Sequence, residues 1–556
     1  MKSDYESLGS QALERLRLTC EDADRMQRET LFHLLQTNKD TEFGKSHTFS
    51  AIESIADFQD RIPLSDYEDY AGQIARIISG ESNILTAKDS IYFCISSGTT
   101  GKEKYLPLTE EDIRLQYIYA YGMIYGMVRE YYPDKKAEDI FGKIFQVGEF
   151  AKTYMPDGRM NGIRSGCIYQ WMDQNGEFDA SDYCVPKEIL FPDMLEDLLY
   201  VKVRFALEER SLMAIHGVFV NRVAGVMDYI YHHWDLLLHD METGTVDDSV
   251  ELDGKWRRFV IERLPADPVR VRELREIPKD RLRDGMIGRI WNNMKYILAI
   301  GGSAFAYYTE KMRQYAGDIP IYHYAYAASE GIFGVAERMN AADRYILLPE
   351  TGFFEFLPLQ GPEKPLIMSE IETGEKYELV FTNRSGLYRC RLGDVVRVVG
   401  RYHKAPVVEY CYRLNQAINI AGEKTNCEQL RAAVQRFSEI TNTNVAGYCV
   451  REEVSRISPR YLFYIECAGG GVVEYADGIL EQCMREANFE YRACATMHEI
   501  APLHAVFLKA GSFTEYERRL AASGKFVGQS KLLHFLETEE QKQFFAAQII
   551  KRESGL

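Results

Sequence analysis

From Ser90 to about Glu130 the sequence spells strand, loop, strand, helix. Ser90-Ile91-Tyr92-Phe93-Cys94-Ile95 is short, apolar and aromatic, the pattern of a buried strand. It runs into Ser96-Ser97-Gly98-Thr99-Thr100-Gly101-Lys102-Glu103-Lys104, a hydroxyl- and glycine-rich loop closed by lysines. Lys104 to Leu108 contains Pro107 and reads as extended, and Thr109-Glu110-Glu111-Asp112 then caps a helix running to about Glu130. Glycines let a backbone approach an oxyanion, hydroxyls and amides donate to it, and a lysine balances its charge. The loop therefore reads either as a phosphate cradle or as a plain turn. It is not the nucleotide P-loop, which needs a glycine, four residues, Gly-Lys and a hydroxyl, and which enters its helix directly. Here Ser96 stands where the first glycine belongs, Glu103 follows Lys102, and a strand intervenes.

The flanking chain continues the alternation of helix and strand. Between residues 8 and 38, Leu13, Leu16, Met26, Leu31, Leu34 and Leu35 recur at helical spacing, with Asn38 as the stop. Pro63-Leu64-Ser65-Asp66 starts another helix that reaches Ile77 or Ile78 and ends at Gly80. Asp139 to Glu149 resembles a buried strand, and Pro192 to Leu207 a helix with an apolar side at Leu198 and Val201. Interleaved charges from Lys255 to Arg283 read as a solvated helical face. Ile297 to Ile300 leads into Gly301-Gly302-Ser303, and Ile319 to Ala325 into Tyr326-Ala327-Ala328-Ser329-Glu330-Gly331. Each reads as a strand ending in a tight turn, and ligands of open α/β sheets collect at such strand ends. From Tyr345 to Val408 short strands repeat between turns at Thr373-Gly374 and Ser385-Gly386, so a β-barrel-like subdomain is expected. Past Arg413 strands and helices alternate again.

A chain of 556 residues exceeds what one core serves. The expected fold is α/β: a large N-terminal domain over residues 1–410, holding α/β subdomains and the barrel-like one, then a short hinge and a small C-terminal α/β domain over 411–556. The 66 basic against 83 acidic residues argue against nucleic-acid or anionic-membrane partners, while a small anion needs only a local positive pocket. Eleven cysteines, with no Cys-x-x-Cys pair, fit a reducing cytoplasm. The acidic, polar start and the lack of any run of eighteen apolar residues leave no signal peptide or membrane span to expect. Oligomeric state is not legible.

Three side chains stand out as candidates for chemistry. Glu330, in an aromatic, glycine-flanked turn, either holds a magnesium ion together with phosphate oxygens or simply starts a helix. Asp394, ending Gly386-Leu387-Tyr388-Arg389-Cys390-Arg391-Leu392-Gly393-Asp394, either accepts both hydroxyls of a ribose or pairs with Arg389 or Arg391. Lys531, in Gly528-Gln529-Ser530-Lys531, is by default a solvated lysine.

In this order, a phosphate loop, a Tyr-x-x-Ser-Glu turn, an aspartate closing a β subdomain and a small domain bearing a lysine resemble the adenylate-forming superfamily of acyl-CoA synthetases, luciferases and peptide-synthetase adenylation domains. Further strings narrow the match: Arg61-Ile62-Pro63 with Tyr67 and Tyr70, Gly352 to Pro358, Gly386 to Gly400 with Lys404-Ala405-Pro406, and Gly422-Glu423-Lys424-Thr425. Ile500-Ala501-Pro502-Leu503 and Gly511-Ser512-Phe513 extend it into the small domain. Over nearly its whole length the chain resembles the auxin-responsive Gretchen Hagen family of acyl acid amido synthetases.

That resemblance implies a ligase acting in two half-reactions. A carboxylic acid and MgATP give an acyl adenylate and pyrophosphate, and an amine, expected to be an amino acid, then displaces AMP to form an amide. It implies ATP and Mg2+ as cofactors, with Ser96, Ser97, Gly98, Thr99, Thr100, Gly101 and Lys104 on phosphates and Ser303 in the nucleotide site. Tyr326 packs on adenine, Ser329 meets the α-phosphate, Glu330 binds magnesium and Asp394 holds the ribose in that scheme. Lys531 swings in with a mobile small domain, about a hinge near Arg413 to Asn415, to stabilise the transition state. Leu198 and Val201, with Ala328 and Gly331, are expected to line an apolar acid pocket. One departure concerns Lys531: the family follows it with a residue and then Pro-Arg, whereas this chain reads Leu532-Leu533-His534. A thioester-forming ligase and a non-catalytic sensor of nucleotide or carboxylate are the competing readings.

Overall fold

A computed structural model describes residues 2–97, 103–192, 198–279, 282–302, 306–341, 343–360, 364–414, 418, 425–453, 460–496, 500–522, 533–536 and 538–550. The chain forms two compact units, one of residues 1–95, 105–392 and 397–410, the other of 96–104, 393–396 and 411–556. In chain order the first strands are β1 (Ser90–Ser97), β2 (Glu103–Thr109), β3 (Lys143–Gln146), β4 (Thr153–Tyr154), β5 (Met160–Gly162), β6 (Leu212–Phe219), β7 (Tyr296–Ile300) and β8 (Ile321–Tyr322). Then come β9 (Ala325–Ala328), β10 (Gly331–Ala336), β11 (Arg344–Leu347), β12 (Gly352–Pro358), β13 (Lys376–Asn383), β14 (Cys390–Tyr402) and β15 (Ala405–Arg413). β16 (Val445–Glu453), β17 (Arg460–Cys467) and β18 (His504–Leu508) complete the set.

The two expected strands, β1 and β2, and the helix after them are present. Thr109 caps the helix, its hydroxyl accepting from the Asp112 N–H at 3.4 Å. That helix is not uniform: α-helical Glu110–Gln116 passes into a π-helical segment, Tyr117–Gly122, before α-helical Met123–Tyr131. Such wide turns carry an extra residue and recur at functional sites. Upstream, the apolar stretch of residues 8–38 becomes two helices, Lys2–Glu21 and Ala23–Asn38, and Asp66 caps Tyr67–Ile78 with a full capping box.

β3, β6, β7 and β8 form a parallel sheet in that order. Parallel sheets are covered on both faces and so read as nearly continuous apolar runs. Ile144, Phe145, Ala214, Ile215, Ile297, Leu298 and Ala299 obey this, none more than 4% exposed. Gln146 and His216 break the pattern although they are only 3% and 1% exposed. A second sheet runs β2-β1-β5-β4, and a third has seven strands ordered β12-β13-β14-β15-β11-β10-β9. Among the described residues no pair closes the third sheet into a barrel.

Two segments differ from the sequence expectation. Asp139 to Glu149 is a strand only over Lys143–Gln146, because Ala137–Ile140 makes a helical turn before it. Ile319 to Ala325 is not one strand: β8 stops at Tyr322 in the parallel sheet, and β9 begins at Ala325 in the seven-stranded one. Tyr326, Ala327 and Ala328 therefore stand inside a strand, and the tight turn is Ser329-Glu330 alone.

In the second unit β16, β17 and β18 form a sheet. Alternate residues of β17 serve two cores, as a period of two demands. Phe463 and Ile465 pack with Leu430 and Phe437 of helix Cys427–Thr441 and Leu480 of helix Ala476–Ala487, whereas Leu462 and Tyr464 pack with Phe544 and Phe545. Residues 533–536 lie alongside β16, the Val450 N–H donating to the His534 carbonyl at 2.8 Å. The His534 ring stacks on Tyr448, and burial pushes its imidazole from 6.5 down to about 4. Where the resemblance leads one to expect an arginine, this chain therefore has a buried, neutral ring.

Candidate active site

β9 and β10 are paired up to Ala328 and Gly331, so Ser329 and Glu330 alone make the hairpin turn. Both turn carbonyls are pinned. Arg164 Nε donates to the Ser329 carbonyl at 3.2 Å, and Asn383 Nδ2 to the Glu330 carbonyl at 2.9 Å. Asn383 is itself fixed, its Oδ1 accepting from the Ser385 and Leu387 amides at 2.9 Å each. A side chain at Gly331 would put Cβ 2.7 Å from the Phe381 ring, so the turn can sit against that ring only with glycine there. Ser329 is 7% exposed and meets the Cys94 thiol. The Glu330 carboxylate is partly exposed, and the described residues give it neither a hydrogen-bond donor nor an ion pair. A lone carboxylate on a fixed turn suits Mg2+, which takes one or two carboxylates and fills its octahedron with phosphate oxygens and water.

Arg164 extends from this turn into the helical layer. Its Nη1 donates to Gln116 Oε1 at 3.1 Å, and the Gln116 amide returns a 3.0 Å bond to the Arg164 carbonyl. Gln116 lines an open cavity between the parallel sheet and two helical segments. Ala120, Tyr121 and Ile124 face it from the π-helical stretch and its continuation, and Ser165, Ile168 and Tyr169 from helix Arg164–Gln174. Gln146, His216, Val218 and Leu298 supply the sheet side, and Tyr324 adds a further ring.

The loop after β7 is also fixed. The Gly301 N–H donates at 2.9 Å to Nδ1 of His323, which lies as close to the Ala299 carbonyl. Burial pushes the His323 imidazole down to about 4. Gly302 has φ +127°, and a Cβ there would fall 1.8 Å from Asp343 Oδ1, so the loop requires glycine.

Other expected site residues fall as follows. Ser96 and Ser97 end β1 and Lys104 lies in β2, while Gly98, Thr99, Thr100, Gly101, Ser303, Gly422 to Lys424 and Lys531 lie outside the described residues. Tyr326 is 7% exposed, its ring 5.1 Å from Phe333, 5.8 Å from Tyr345 and 5.9 Å from Tyr410. Leu198 and Val201 are 1% and 0% exposed. Neither they nor Ala328 and Gly331 line the cavity just described. In the second unit Arg413 Nε donates to Asp394 Oδ1 at 2.6 Å. Arg389 and Arg391, the alternative partners read from sequence, pair with Glu355 and Glu378. Arg164, Gln116, Gln146, His216 and His323 were not singled out from sequence. The one local signal was a lone histidine in the apolar run Leu212–Phe219.

Residues 12–321 match the GH3 family N-terminal domain, 345–413 its central domain and 428–540 its C-terminal domain. The chain belongs to the GH3 family. A probable indole-3-acetic acid-amido synthetase, GH3.1 of Arabidopsis thaliana, is 28% identical over 532 residues, covering 92% of this GH3 chain and 88% of that protein. The jasmonoyl–L-amino acid synthetase JAR4 of Nicotiana attenuata is 27% identical over 552 residues, 94% of this chain and 92% of its own. The solved AtGH3.15 acyl acid amido synthetase in complex with 2,4-DB superimposes with a TM-score of 0.84 at 23% identity, covering 98% of this chain and 96% of that one. A 2-hydroxyisobutyryl-CoA ligase in the postadenylation state shares the fold more loosely, with a TM-score of 0.51 at 11% identity over 94% and 91% of the two chains. This GH3 protein thus shares its α/β fold with these solved enzymes. No described helix is long and apolar enough to cross a membrane.

Proposed function

We propose that this GH3 protein is an ATP-dependent acyl acid amido synthetase: it adenylates a carboxylic acid, releasing pyrophosphate, and an amino acid amine then displaces AMP to leave an amide. The observation that carries the reading is the pinned Ser329-Glu330 turn, its carboxylate given no partner among the described residues, joined through Arg164 and Gln116 to a cavity lined mostly by apolar and aromatic side chains. The amine class is inferred from the jasmonoyl–L-amino acid synthetase among the relatives.

In this proposal the cavity takes the body of the acid and leaves its carboxylate beside Ser329. No protein nucleophile is needed, since the step asks for in-line placement and for donors and cations on the phosphate oxygens. The Ser329 hydroxyl supports the α-phosphate, and Lys104 with the Ser96 to Gly101 loop neutralises the others. Asp394, oriented by Arg413, accepts from the ribose hydroxyls. Tyr326 borders adenine, and Ser303 belongs to the same nucleotide site. Magnesium, held by Glu330 and phosphate oxygens, supplies charge neutralisation when bound. A small domain of residues 411–556 carries Lys531 to the reacting centre about a hinge near Arg413, in a cytoplasmic enzyme.

Carboxylate-dependent exchange of labelled pyrophosphate into ATP tests the first half-reaction. Exchange with some acid in aromatic, aliphatic and amino acid pools, abolished in Asp394→Ala, is the expected result. ATP binding without exchange in any pool would sink the proposal. Adding amines or coenzyme A to the active acid separates amide from thioester as product.

A further inference from the structure

Gln146 and His216 are direct partners across β3 and β6, and His216 pairs in turn with Leu298 of β7. Cross-strand partners project from the same face of a sheet, so all three form one row along the cavity wall. The rest of the sheet side, Val218 and Leu298, is apolar, yet this row holds two polar side chains, 3% and 1% exposed. His216 Nε2 lies 3.0 Å from the Tyr296 hydroxyl, whereas among the described residues His216 Nδ1 and Gln146 Oε1 have no hydrogen-bond partner. Nine in ten or more buried polar groups are paired, so two orphans side by side in one cavity call for a cause. Burial pushes the His216 imidazole down to about 3, so it faces the cavity as a neutral ring. A neutral ring beside an amide oxygen recognises a group that donates and accepts, and it offers a carboxylate no charge.

The helical side of the cavity has the other character. Gln116 is bonded there to the Arg164 guanidinium, which reaches the Ser329 carbonyl. A carboxylate belongs on that side and a neutral polar group at the row of Gln146 and His216.

We propose that Gln146 and His216 are specificity-determining residues which read a hydroxyl on the part of the acyl acid remote from its carboxylate, so that the substrate class is hydroxylated aryl acids. The inference rests on the acyl-adenylate reading above for the use of the cavity. The aromatic lining from Tyr121, Phe150, Tyr169 and Tyr324 suits a single ring. The hydroxyl hydrogen bonds to Gln146 Oε1 and its oxygen accepts from His216 Nδ1, whose proton sits there when the Tyr296 hydroxyl donates to Nε2.

The test compares acids with and without the hydroxyl: 4- and 3-hydroxyphenylacetate against phenylacetate, and 4- and 3-hydroxybenzoate against benzoate. Pyrophosphate exchange gives kcat/KM for each in the native protein, His216→Phe and Gln146→Leu. The expected result is a preference of at least tenfold for one hydroxylated acid over its parent, falling at least tenfold in either variant. Gln146→Leu removes an orphan polar group and keeps the test open should His216→Phe fold poorly. No preference, or variants that lower both acids of a pair alike, would overturn the inference. Calorimetric binding of the same free acids separates this outcome from failure of the adenylation reading. Hydroxyl-dependent binding without exchange would leave the inference standing and remove the reaction, whereas neither binding nor exchange would overturn it. So would a high-resolution structure in which waters alone pair both atoms and no acid displaces them.

Discussion

Replacing Arg389 by methionine should cost the first unit about 4 kcal/mol, and the structure supplies the terms. Arg389 Nε and Nη2 each lie 2.9 Å from a Glu355 oxygen, in a two-pronged ion pair whose side chains are only 4% and 1% exposed. Arg389 Nη1 donates to the Gln59 and Ile62 carbonyls, and Gln59 Nε2 gives Glu355 Oε1 a further bond at 2.9 Å. Removing the guanidinium strands a buried carboxylate with one amide donor and leaves two carbonyls unpaired. Breaking one partner of a buried pair costs about 3–5 kcal/mol, whereas replacing both by apolar groups is often close to neutral. Arg389→Met and Glu355→Leu should therefore each cost about 4 kcal/mol, and the double variant no more than about 3, its residue being the two orphan carbonyls. All four tryptophans, Trp171, Trp234, Trp256 and Trp291, belong to the first unit, so urea unfolding followed by their fluorescence reports on the unit that holds the pair. A double variant as unstable as the sum of the single ones, or single variants costing under about 1 kcal/mol, would refute the reasoning.

Three more outcomes are expected. His216 and His323, buried with pKa values of about 3 and 4 against an unbound value of 6.5, bind protons more readily when unfolded. Their contribution is thus complete above pH 6.5 and is lost as pH falls toward 4, by about 2 kcal/mol each at pH 5; a tryptophan-detected urea midpoint that holds or rises from pH 7.5 to 5 would contradict this. Glu330→Gln should lower pyrophosphate exchange about a hundredfold, with partial recovery in excess magnesium, because metal-held charge is lost while the turn stays pinned. Unaltered exchange, or a lowered melting temperature, would argue that the carboxylate is structural. Gly302→Ala should destabilise the protein by about 2 kcal/mol or more, since φ +127° and a Cβ 1.8 Å from Asp343 Oδ1 are both excluded for alanine; an unchanged urea midpoint would count against the loop geometry.

Local chemistry was readable from the sequence wherever it is decided within a few residues. The caps at Asp66 and Thr109, the stop at Asn38 and the glycine-bounded turn at Glu330 all depend on neighbours within one helical turn or hairpin. Asp394 shows where such reading stops. Its expected partners, Arg389 and Arg391, were near in sequence, but the arginine that reaches it arrives from β15, the neighbouring strand. The cavity is further still from local reading, because Gln146 and His216 meet only through parallel pairing of strands separated by two helices and more. Tyr326 was read as a turn residue because Ile319 to Ala325, apolar and aromatic but for His323, reads as one strand. Nothing in that run announces that His323 leaves the sheet to hold Gly301.

The π-helical segment Tyr117–Gly122 sets two surfaces at once. Upstream and within it, Gln116, Ala120 and Tyr121 face the cavity; downstream, the Tyr125 ring stacks on Tyr5 of the N-terminal helix at 4.3 Å. Deleting one residue would convert the segment to ordinary α-helix and rotate one side against the other by about 100°. The Tyr5 contact or the cavity wall would then have to give way. Descendants of such a chain can therefore reshape what they admit by a single insertion or deletion, with every lining residue type retained. Divergence of that kind leaves its mark in spacing and escapes a comparison made residue by residue.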